Sequence, residues 1–229
     1  SAYQNLLIRS LWVSLVVAVF SIILAYPIAY FLAFHAGEKK SLLLNILIIP
    51  AWTSFLLRVL AWRLILGSNG LLNTLLMWLG LIQEPISGLF YSMNAVIITL
   101  VYIWIPFAVL PIYVALLRIE PGLLEAASDL GAKPWQGFFK VTLPLSMPGI
   151  LAAFLYVFIP TVGEYVTPAL VGGPNGLMIG NIIWDQFMRG LDWPMGATLS
   201  LIVMLVVILP LVFMAKTAQQ TGIFGGASD

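Results

Sequence analysis

The sequence predicts an all-α, polytopic membrane protein, and its composition and hydropathy carry that prediction. Of its 229 residues, 62% are hydrophobic and 8% are charged, and the mean hydropathy is +1.06. Soluble domains carry about 25% charged residues, so this chain has too few polar side chains to cover a water-facing surface. The surplus of apolar surface requires lipid.

Five apolar stretches are each long enough to cross a bilayer as a helix, which takes about 20 residues. They are residues 10–34, 42–66, 93–117, 148–170 and 197–215. Several contain proline, which is tolerated in lipid where neighbouring helices satisfy the backbone groups that proline leaves free. Because the chain shows no periodic repeat and no soluble insertion, residues 1–229 are predicted to form a single membrane domain.

Basic residues lie in alternate connections between the predicted spans, and this asymmetry predicts the orientation of the chain. Connections rich in lysine and arginine stay in the cytoplasm. The basic residues of these connections are Lys39, Lys40, Arg118, Lys133, Lys140 and Lys216. Residues 67–92 and 171–196, where only Arg189 is basic, are therefore expected outside. Within the first of these connections, residues 69–80 are predicted to form a short helix lying at the membrane surface.

Several classes of function are excluded by what the sequence lacks. The chain has no cysteine and one histidine, His35, which is predicted to be a solvated loop residue, so disulfides and thiolate or histidine metal sites are not expected. The formal net charge of +1 provides no basic field for nucleic acid. No Gly-x-x-x-x-Gly-Lys motif is present to hold ATP phosphates. The chain itself is expected to bind no cofactor.

The long cytoplasmic connection has the pattern of a docking helix. Pro121 suits a first helical position, and Gly131 suits the residue after a helix end. Between them, one apolar stripe has helical spacing and consists of Leu123, Ala126, Ala127 and Leu130. Pro134 is predicted to start a second short helix that leads back to the membrane. From periodicity alone, a purely structural amphipathic hairpin is an equal alternative.

The same connection resembles the cytoplasmic signature of the permeases of ABC importers. The matching residues are Glu125-Ala126-Ala127, Gly131 and Val141-Thr142-Leu143-Pro144, with valine where isoleucine is usual. The resemblance implies a type I ABC importer permease core of about five transmembrane helices with a cytoplasmic coupling helix, located in the bacterial inner membrane. It also implies that coupling to an ATPase falls to Glu125, Ala126, Ala127, Gly131 and Leu143.

The partners are implied by the same resemblance. They are a second homologous permease subunit, two copies of a cytoplasmic ATPase that uses ATP and Mg, and a periplasmic substrate-binding protein. The chain would then be a non-catalytic subunit embedded in the lipid bilayer.

A second set of residues resembles the permeases of spermidine and putrescine importers. The likeness includes residues 163–168, which read Gly-Glu-Tyr-Val-Thr-Pro, and Gly172-Gly173-Pro174. Polyamines are multivalent cations, which carboxylates attract by charge and aromatic rings by cation–π contact. An acidic side chain at membrane depth costs about 2.5–3.5 kcal/mol, so Glu164 is expected to face a cavity or a partner. The predicted substrate pathway consists of Glu164, Tyr165, Trp184 and Asp185, with Trp104 and Tyr156 as further aromatic candidates.

Other interpretations of these residues remain open from the sequence. Glu164 is alternatively paired with Arg58 or Arg63 near the outer end of the second span, Asp185 and Asp192 are alternatively solvated, and Trp184 and Trp193 belong alternatively to an interfacial belt. Related importers of ferric ion, sulfate or phosphonate share the signature. An ion-coupled secondary transporter that uses Glu164 is a further alternative. An intramembrane enzyme is disfavoured because no nucleophile and base or metal set lies within the spans.

Overall fold

The computed structural model of the chain describes residues 2–86 and 91–220. Within these ranges the chain consists of helices and the turns that join them. The α-helices, in chain order, are α1 (Ala2–Phe34), α2 (Lys40–Ile48), α3 (Phe55–Leu66), α4 (Leu71–Trp78), α5 (Met93–Leu117), α6 (Pro121–Asp129), α7 (Pro134–Gly137), α8 (Leu143–Val162), α9 (Ile179–Met188) and α10 (Trp193–Gln220).

Shorter helical turns complete the described chain. Two of them are π-helical, Phe138–Thr142 before α8 and Pro168–Gly172 after it. The others are 3₁₀ turns over Gly37–Lys39, Ile49–Trp52 and Pro174–Gly176. The π-helical turns are notable because such turns occur frequently at functional sites.

The core is a three-helix arrangement of α1, α5 and α8. The side chains that fill it are fully buried, among them Val17, Ala25, Leu100, Ile112 and Val157. On the outer faces of the same helices, large apolar side chains such as Ile23 and Tyr156 are exposed. An apolar exterior around an apolar core is the arrangement of a helix bundle whose solvent is lipid.

Helices α5 and α8 approach each other closely at Gly149. A methyl group built on Gly149 would lie 2.4 Å from Cβ of Ala115 and 2.6 Å from the carbonyl oxygen of Pro111. Small residues at helix interfaces allow such close backbone approach in membrane proteins. Gly149 is therefore required by packing rather than by backbone conformation.

The first and third of the predicted spans are confirmed. The segments with the length and hydropathy to cross a membrane are Tyr3–Phe34, Phe55–Trp78, Met93–Leu117 and Pro134–Val162, and a shorter apolar helix covers Trp193–Leu209. The segments Tyr3–Phe34 and Met93–Leu117 contain the predicted stretches 10–34 and 93–117. The fifth predicted stretch lies within α10. The short helix predicted within residues 69–80 is confirmed as α4, and its position at the membrane surface stays a prediction.

The prediction of one continuous span over residues 42–66 is wrong. Helix α2 ends at Ile48, a 3₁₀ turn follows, and Thr53 is extended before α3 begins at Phe55. Pro50 provides no N–H for the helical ladder, and its carbonyl oxygen instead accepts hydrogen bonds from the backbone N–H (3.3 Å) and the side-chain hydroxyl (2.7 Å) of Thr53. The stretch is thus two short helices joined by a capped break.

The fourth predicted span, residues 148–170, has both of its boundaries displaced. Its helix starts earlier, because the predicted second short helix at Pro134 is continuous with α8 through the π-helical turn. It ends earlier as well, at Val162, and the chain becomes helical again only after Glu164. The interruption of the helix therefore lies at Gly163 and Glu164, within the predicted stretch.

We expect Gly149→Ala to destabilise the protein by about 1–3 kcal/mol, since the added methyl group must push α5 and α8 apart. The thermal unfolding midpoint of the purified protein in detergent measures this loss. Gly122→Ala is the matched control, because a Cβ at Gly122 meets no atom within 4 Å. Equal unfolding midpoints for the two variants would contradict the packing role of Gly149.

Candidate functional site

Helix α6 presents its apolar stripe to the surface. Leu130 is 89% exposed and Leu123 is 45% exposed, while Glu125 and Ala126 are exposed and Ala127 is half-buried. The other side of α6 is seated on α7, where Leu124 lies 3.9 Å from the position of a Cβ on Gly137. Exposed leucines on a seated helix leave an apolar surface that a partner can cover.

Gly131 ends α6 in the left-handed region, with φ of +80°. Its N–H donates to the carbonyl oxygen of Ser128 (2.9 Å), and the N–H of Ala132 donates to that of Ala127 (3.0 Å). This pair of bonds is a Schellman motif, which satisfies the last carbonyls of a helix and favours glycine at this position. A Cβ at Gly131 would meet no atom within 4 Å, so conformation and not space selects the glycine.

Leu143 lies apart from the other coupling candidates, at the start of α8. The N–H of Leu143 donates to the carbonyl oxygen of Phe138, five residues earlier, and thereby closes the π-helical turn. Its own carbonyl oxygen accepts a hydrogen bond from Oγ of Ser146 at 3.0 Å. The predicted coupling residues therefore occupy the helix α6, its C-terminal bend and the beginning of α8.

Glu164 caps the helical segment that follows it. Its Oε1 accepts hydrogen bonds from the backbone N–H groups of Val166 (2.8 Å) and Thr167 (3.1 Å). Among the described residues, neither Arg58 nor Arg63 forms an ion pair with Glu164. The carboxylate is half-buried and lies at a helix N-terminus, where the helix dipole stabilises negative charge.

The start of α9 packs against the interruption between α8 and the helical segment that follows Glu164. Nδ2 of Asn181 donates to the carbonyl oxygen of Tyr165 (2.8 Å), and its Oδ1 accepts from the N–H of Met178 (2.9 Å). A Cβ on Gly180 would lie 2.5 Å from the carbonyl oxygen of Gly163. Asn181 and Gly180 were not among the predicted site residues, although Asn181 belongs to the residues whose pattern resembles spermidine and putrescine permeases.

Tyr165, Trp184 and Asp185 lie together, as a substrate pathway requires. The rings of Tyr165 and Trp184 are stacked, with centroids 6.1 Å apart and planes 16° from parallel. Cζ of Arg189 lies 5.4 Å from the centroid of the Trp184 ring, and Nε of Arg189 lies 3.4 Å from Oδ1 of Asp185. The exposed ion pair contributes little stability. The arrangement nevertheless places a cation against an aromatic face and a carboxylate.

Two open clefts meet at this aromatic pair. One has a volume of about 300 Å³ and is also lined by Gly163 and Gly180. The other has a volume of about 380 Å³ and contains Asn181, Asp185 and Arg189. Tyr165 and Trp184 line both clefts.

The further aromatic candidates form a separate group between α5 and α8. The ring centroids of Trp104 and Tyr156 are 6.2 Å apart, and Phe107 stacks on Tyr156 at 5.9 Å. A cleft of about 340 Å³ is lined by Trp104, Tyr156 and Pro160. This cleft shares no lining residue with the two clefts at Tyr165.

Two residues outside these groups have simple surroundings. His35 is exposed and stacks on Phe31 with ring centroids 6.2 Å apart, so the prediction of a solvated loop histidine is confirmed. Nη2 of Arg63 donates to the hydroxyl of Tyr91 at 3.5 Å. No group of histidine, aspartate and glutamate in the described part of the chain is arranged to hold a metal ion.

Comparison with known proteins identifies close relatives over most of the chain. The family described as binding-protein-dependent transport system inner membrane component matches residues 10–221. The spermidine/putrescine transport system permease protein PotB of Escherichia coli (strain K12) is 43% identical over 199 residues, which cover 87% of this chain and 72% of PotB. PotB of Salmonella typhimurium (strain SL1344) is 41% identical over 217 residues, covering 95% of this chain and 75% of that protein.

A solved structure has the same fold at much lower identity. It is the crystal structure of a bacterial alginate ABC transporter in complex with alginate pentasaccharide-bound periplasmic protein. One of its chains superposes with a TM-score of 0.68 and 17% identity, covering 93% of this chain and 78% of that one. At this identity the likeness is one of fold.

We expect Gly131→Val to loosen the end of α6, because a β-branched residue at a φ of +80° costs about 1–3 kcal/mol. Hydrogen exchange of the α6 amides, followed by mass spectrometry, should accelerate. Gly131→Asn is the matched control, since asparagine tolerates the left-handed region far better. Identical exchange in the two variants would show that the left-handed bend does not hold the end of α6.

Proposed function

The chain belongs to the family of binding-protein-dependent transport system inner membrane components, and we propose that it is the permease subunit of an ATP-driven importer of polyamines. It is a multi-pass protein of the inner membrane with the type I fold of ABC importer permeases. Putrescine and spermidine are the proposed substrates, because the relatives of 41–43% identity are spermidine/putrescine permeases.

The proposed assembly places this chain beside a second homologous permease subunit. Two ATPase subunits dock on the cytoplasmic face, where they bind ATP and Mg, and a periplasmic binding protein delivers the substrate. The chain makes and breaks no covalent bond. Its contribution is to turn movement of the ATPases into a change of access across the membrane.

The observation that carries the coupling role is the exposed stripe of α6. Leu123 and Leu130 supply apolar area for a cleft in the ATPase, and Ala126 lets the helix approach the cleft wall closely. Glu125 supplies a charge at the edge of the same surface. Gly131 fixes the angle between α6 and α7, because its left-handed conformation sets the direction of the chain that follows α6.

The proposed pathway for substrate passes the break after α8. Glu164 places a carboxylate there, and the amides that it caps use two of its roughly four lone-pair positions, so the carboxylate retains capacity for an ammonium group. Tyr165 and Trp184 offer aromatic faces to a cation. The guanidinium of Arg189 already rests on Trp184 beside Asp185, which supports the ability of this cleft to hold a cation.

The alternatives predict different behaviour. A permease for sulfate or phosphonate requires basic groups around its pathway, whereas the clefts at Tyr165 contain one arginine that is paired with Asp185. An ion-coupled secondary transporter moves substrate without an ATPase. Uptake by reconstituted complexes with and without ATP separates the importers from the secondary transporter.

The coupling role predicts that Glu125→Lys weakens assembly with the ATPase by about tenfold or more, since charge reversal at an interface replaces an attraction by a repulsion. Copurification of the ATPase and ATP-dependent uptake of radiolabelled putrescine and spermidine measure the two effects. Glu38→Lys makes the same change at an exposed glutamate in the preceding predicted cytoplasmic connection. Full assembly of the Glu125→Lys complex would remove Glu125 from the docking surface.

The pathway role predicts that Glu164→Gln lowers polyamine uptake by about tenfold or more, because a hydrogen bond between charged groups is worth about 1.5–3 kcal/mol. Glutamine keeps an oxygen that can cap the same amides, so assembly and ATP hydrolysis should stay intact. Asp192→Asn is the matched control, since Oδ1 of Asp192 also caps a helix, accepting from the N–H of Met195 at 3.0 Å.

Two results would overturn the proposed function. Absence of polyamine uptake by the assembled parent complex would refute the substrate assignment. Uptake that persists without the ATPase subunits would refute the importer mechanism itself. Equal loss of uptake in Glu164→Gln and Asp192→Asn would assign Glu164 a capping role alone.

A further inference from the structure

Towards its C-terminal end, helix α1 is hydrogen-bonded to the first turn of α8. The hydroxyl of Tyr26 lies 2.9 Å from Oγ of Ser146 on α8. The Ser146 hydroxyl donates its proton to the carbonyl oxygen of Leu143 at 3.0 Å, so the Tyr26 hydroxyl is the donor to Ser146. Tyr26 therefore holds Leu143, one of the proposed coupling residues, through a single serine.

An aromatic contact gives Tyr26 a second link to Leu143, through Phe138. Tyr26 meets Phe138 edge to face, with ring centroids 5.7 Å apart and planes at 89°. Phe138 is in turn bonded to Leu143, whose N–H donates to the Phe138 carbonyl oxygen across the π-helical turn. These contacts hold α1 against both ends of the π-helical turn. They link Tyr26, Ser146, Leu143 and Phe138 in a closed ring. Such a closed set of contacts in an apolar surrounding resists sliding of one helix past the other.

The other end of α1 is hydrogen-bonded to the start of α9, which packs against the backbone at Gly163 and Glu164. Oγ of Ser10 is fully buried and accepts a hydrogen bond from the N–H of Ile179, the first residue of α9, at 2.8 Å. The two residues after Ile179 are Gly180 and Asn181, which hold the chain at Glu164 and Tyr165. One helix thus contacts the coupling segment and the proposed pathway.

Ser10 and Tyr26 are separated by 16 residues, which is about 24 Å along a helix. Between them, one side of α1 is packed into the core, where its buried side chains include Val13, Val17, Ala18 and Ala25. A continuous helix packed along one face is stiff enough to carry a displacement over this distance. By contrast, the chain that directly joins the docking hairpin, formed by α6 and α7, to Glu164 contains the π-helical turn and ends at the interruption after Val162.

We propose that α1 is the mechanical link between the ATPase-docking hairpin and the pathway break, with Tyr26 and Ser10 as its two attachment points. The hairpin and the inner end of α1 then move as one rigid body, and the outer end of α1 displaces the start of α9. Displacement of Asn181 opens the clefts at Tyr165. This inference rests on the proposed function, because it assigns a route to the coupling that α6 begins.

The first test measures substrate transported per ATP hydrolysed by the assembled complex in proteoliposomes. Tyr26→Phe and Ser10→Ala should each lower this ratio about fivefold, the equivalent of one hydrogen bond of about 1 kcal/mol. ATPase assembly and the hydrolysis rate should stay at parent values. Because the attachments act in series, the double variant should be no worse than either single variant.

Matched controls make the same chemical changes elsewhere. Ser14→Ala removes a buried hydroxyl one turn along α1 whose hydrogen bond, among the described residues, stays within its own helix, to the carbonyl oxygen of Ser10 at 2.7 Å. Tyr113→Phe removes the hydroxyl of a tyrosine on α5 that is more buried than the half-buried Tyr26. Both controls should keep the parent ratio. Parent ratios in Tyr26→Phe and Ser10→Ala, or losses that multiply in the double variant, would overturn the link.

A second readout does not depend on the substrate. The sequence has no cysteine, so Ile23→Cys on α1 and Ser128→Cys on α6 give this chain two unique sites for spin labels, to be measured in a complex whose partner subunits carry no reactive cysteine. The distance between the labels should be the same with and without trapped nucleotide, and Tyr26→Phe should make it change between the two states. A parent distance that changes would overturn the link. A fixed parent distance in a complex that moves no polyamine would refute the substrate and leave the link standing.

Discussion

The requirement that backbone polar groups be satisfied within lipid governs this structure. An unpaired N–H or carbonyl group in the hydrocarbon region costs several kcal/mol, so a break in a helix persists only where another group completes its hydrogen bonds. The breaks in this chain follow that rule. Thr53 bonds to the carbonyl of Pro50, Leu143 closes the π-helical turn, and Glu164 and Asn181 satisfy the interruption after α8.

The same requirement joins structure to function, because the groups that complete the breaks are polar groups in an apolar setting. Glu164 shows this most clearly, since one carboxylate is both a helix cap and the anionic group of the proposed pathway. Leu143 belongs to the signature and also closes the turn against which Tyr26 is fixed. A mutation at such a position changes a backbone conformation and a functional group together, so conservative substitutions separate the two better than alanine does.

Features that depend on local chemistry could be predicted from the sequence, and those that depend on tertiary contacts could not. Apolar length identified α1 and α5, and the glycine after an amphipathic stretch identified the left-handed end of α6. Proline did not reveal the break after α2, because Pro27 and Pro106 lie within continuous helices. Asn181, Ser10 and Tyr26 make their contacts with residues far along the chain, and nothing in their own neighbourhoods predicts those partners.

The capping of Glu164 bears on how a cation would meet the proposed pathway. A free carboxylate would have to be desolvated when substrate arrives, whereas two backbone amides and the helix dipole already replace part of the solvation of Glu164. The side chain is also held in one position, so little conformational entropy is lost on binding. The cost is that the charge is shared with the amides, which weakens the attraction for any one ammonium group. Moderate affinity of this kind suits a transporter, because substrate that binds too tightly is not released on the other side.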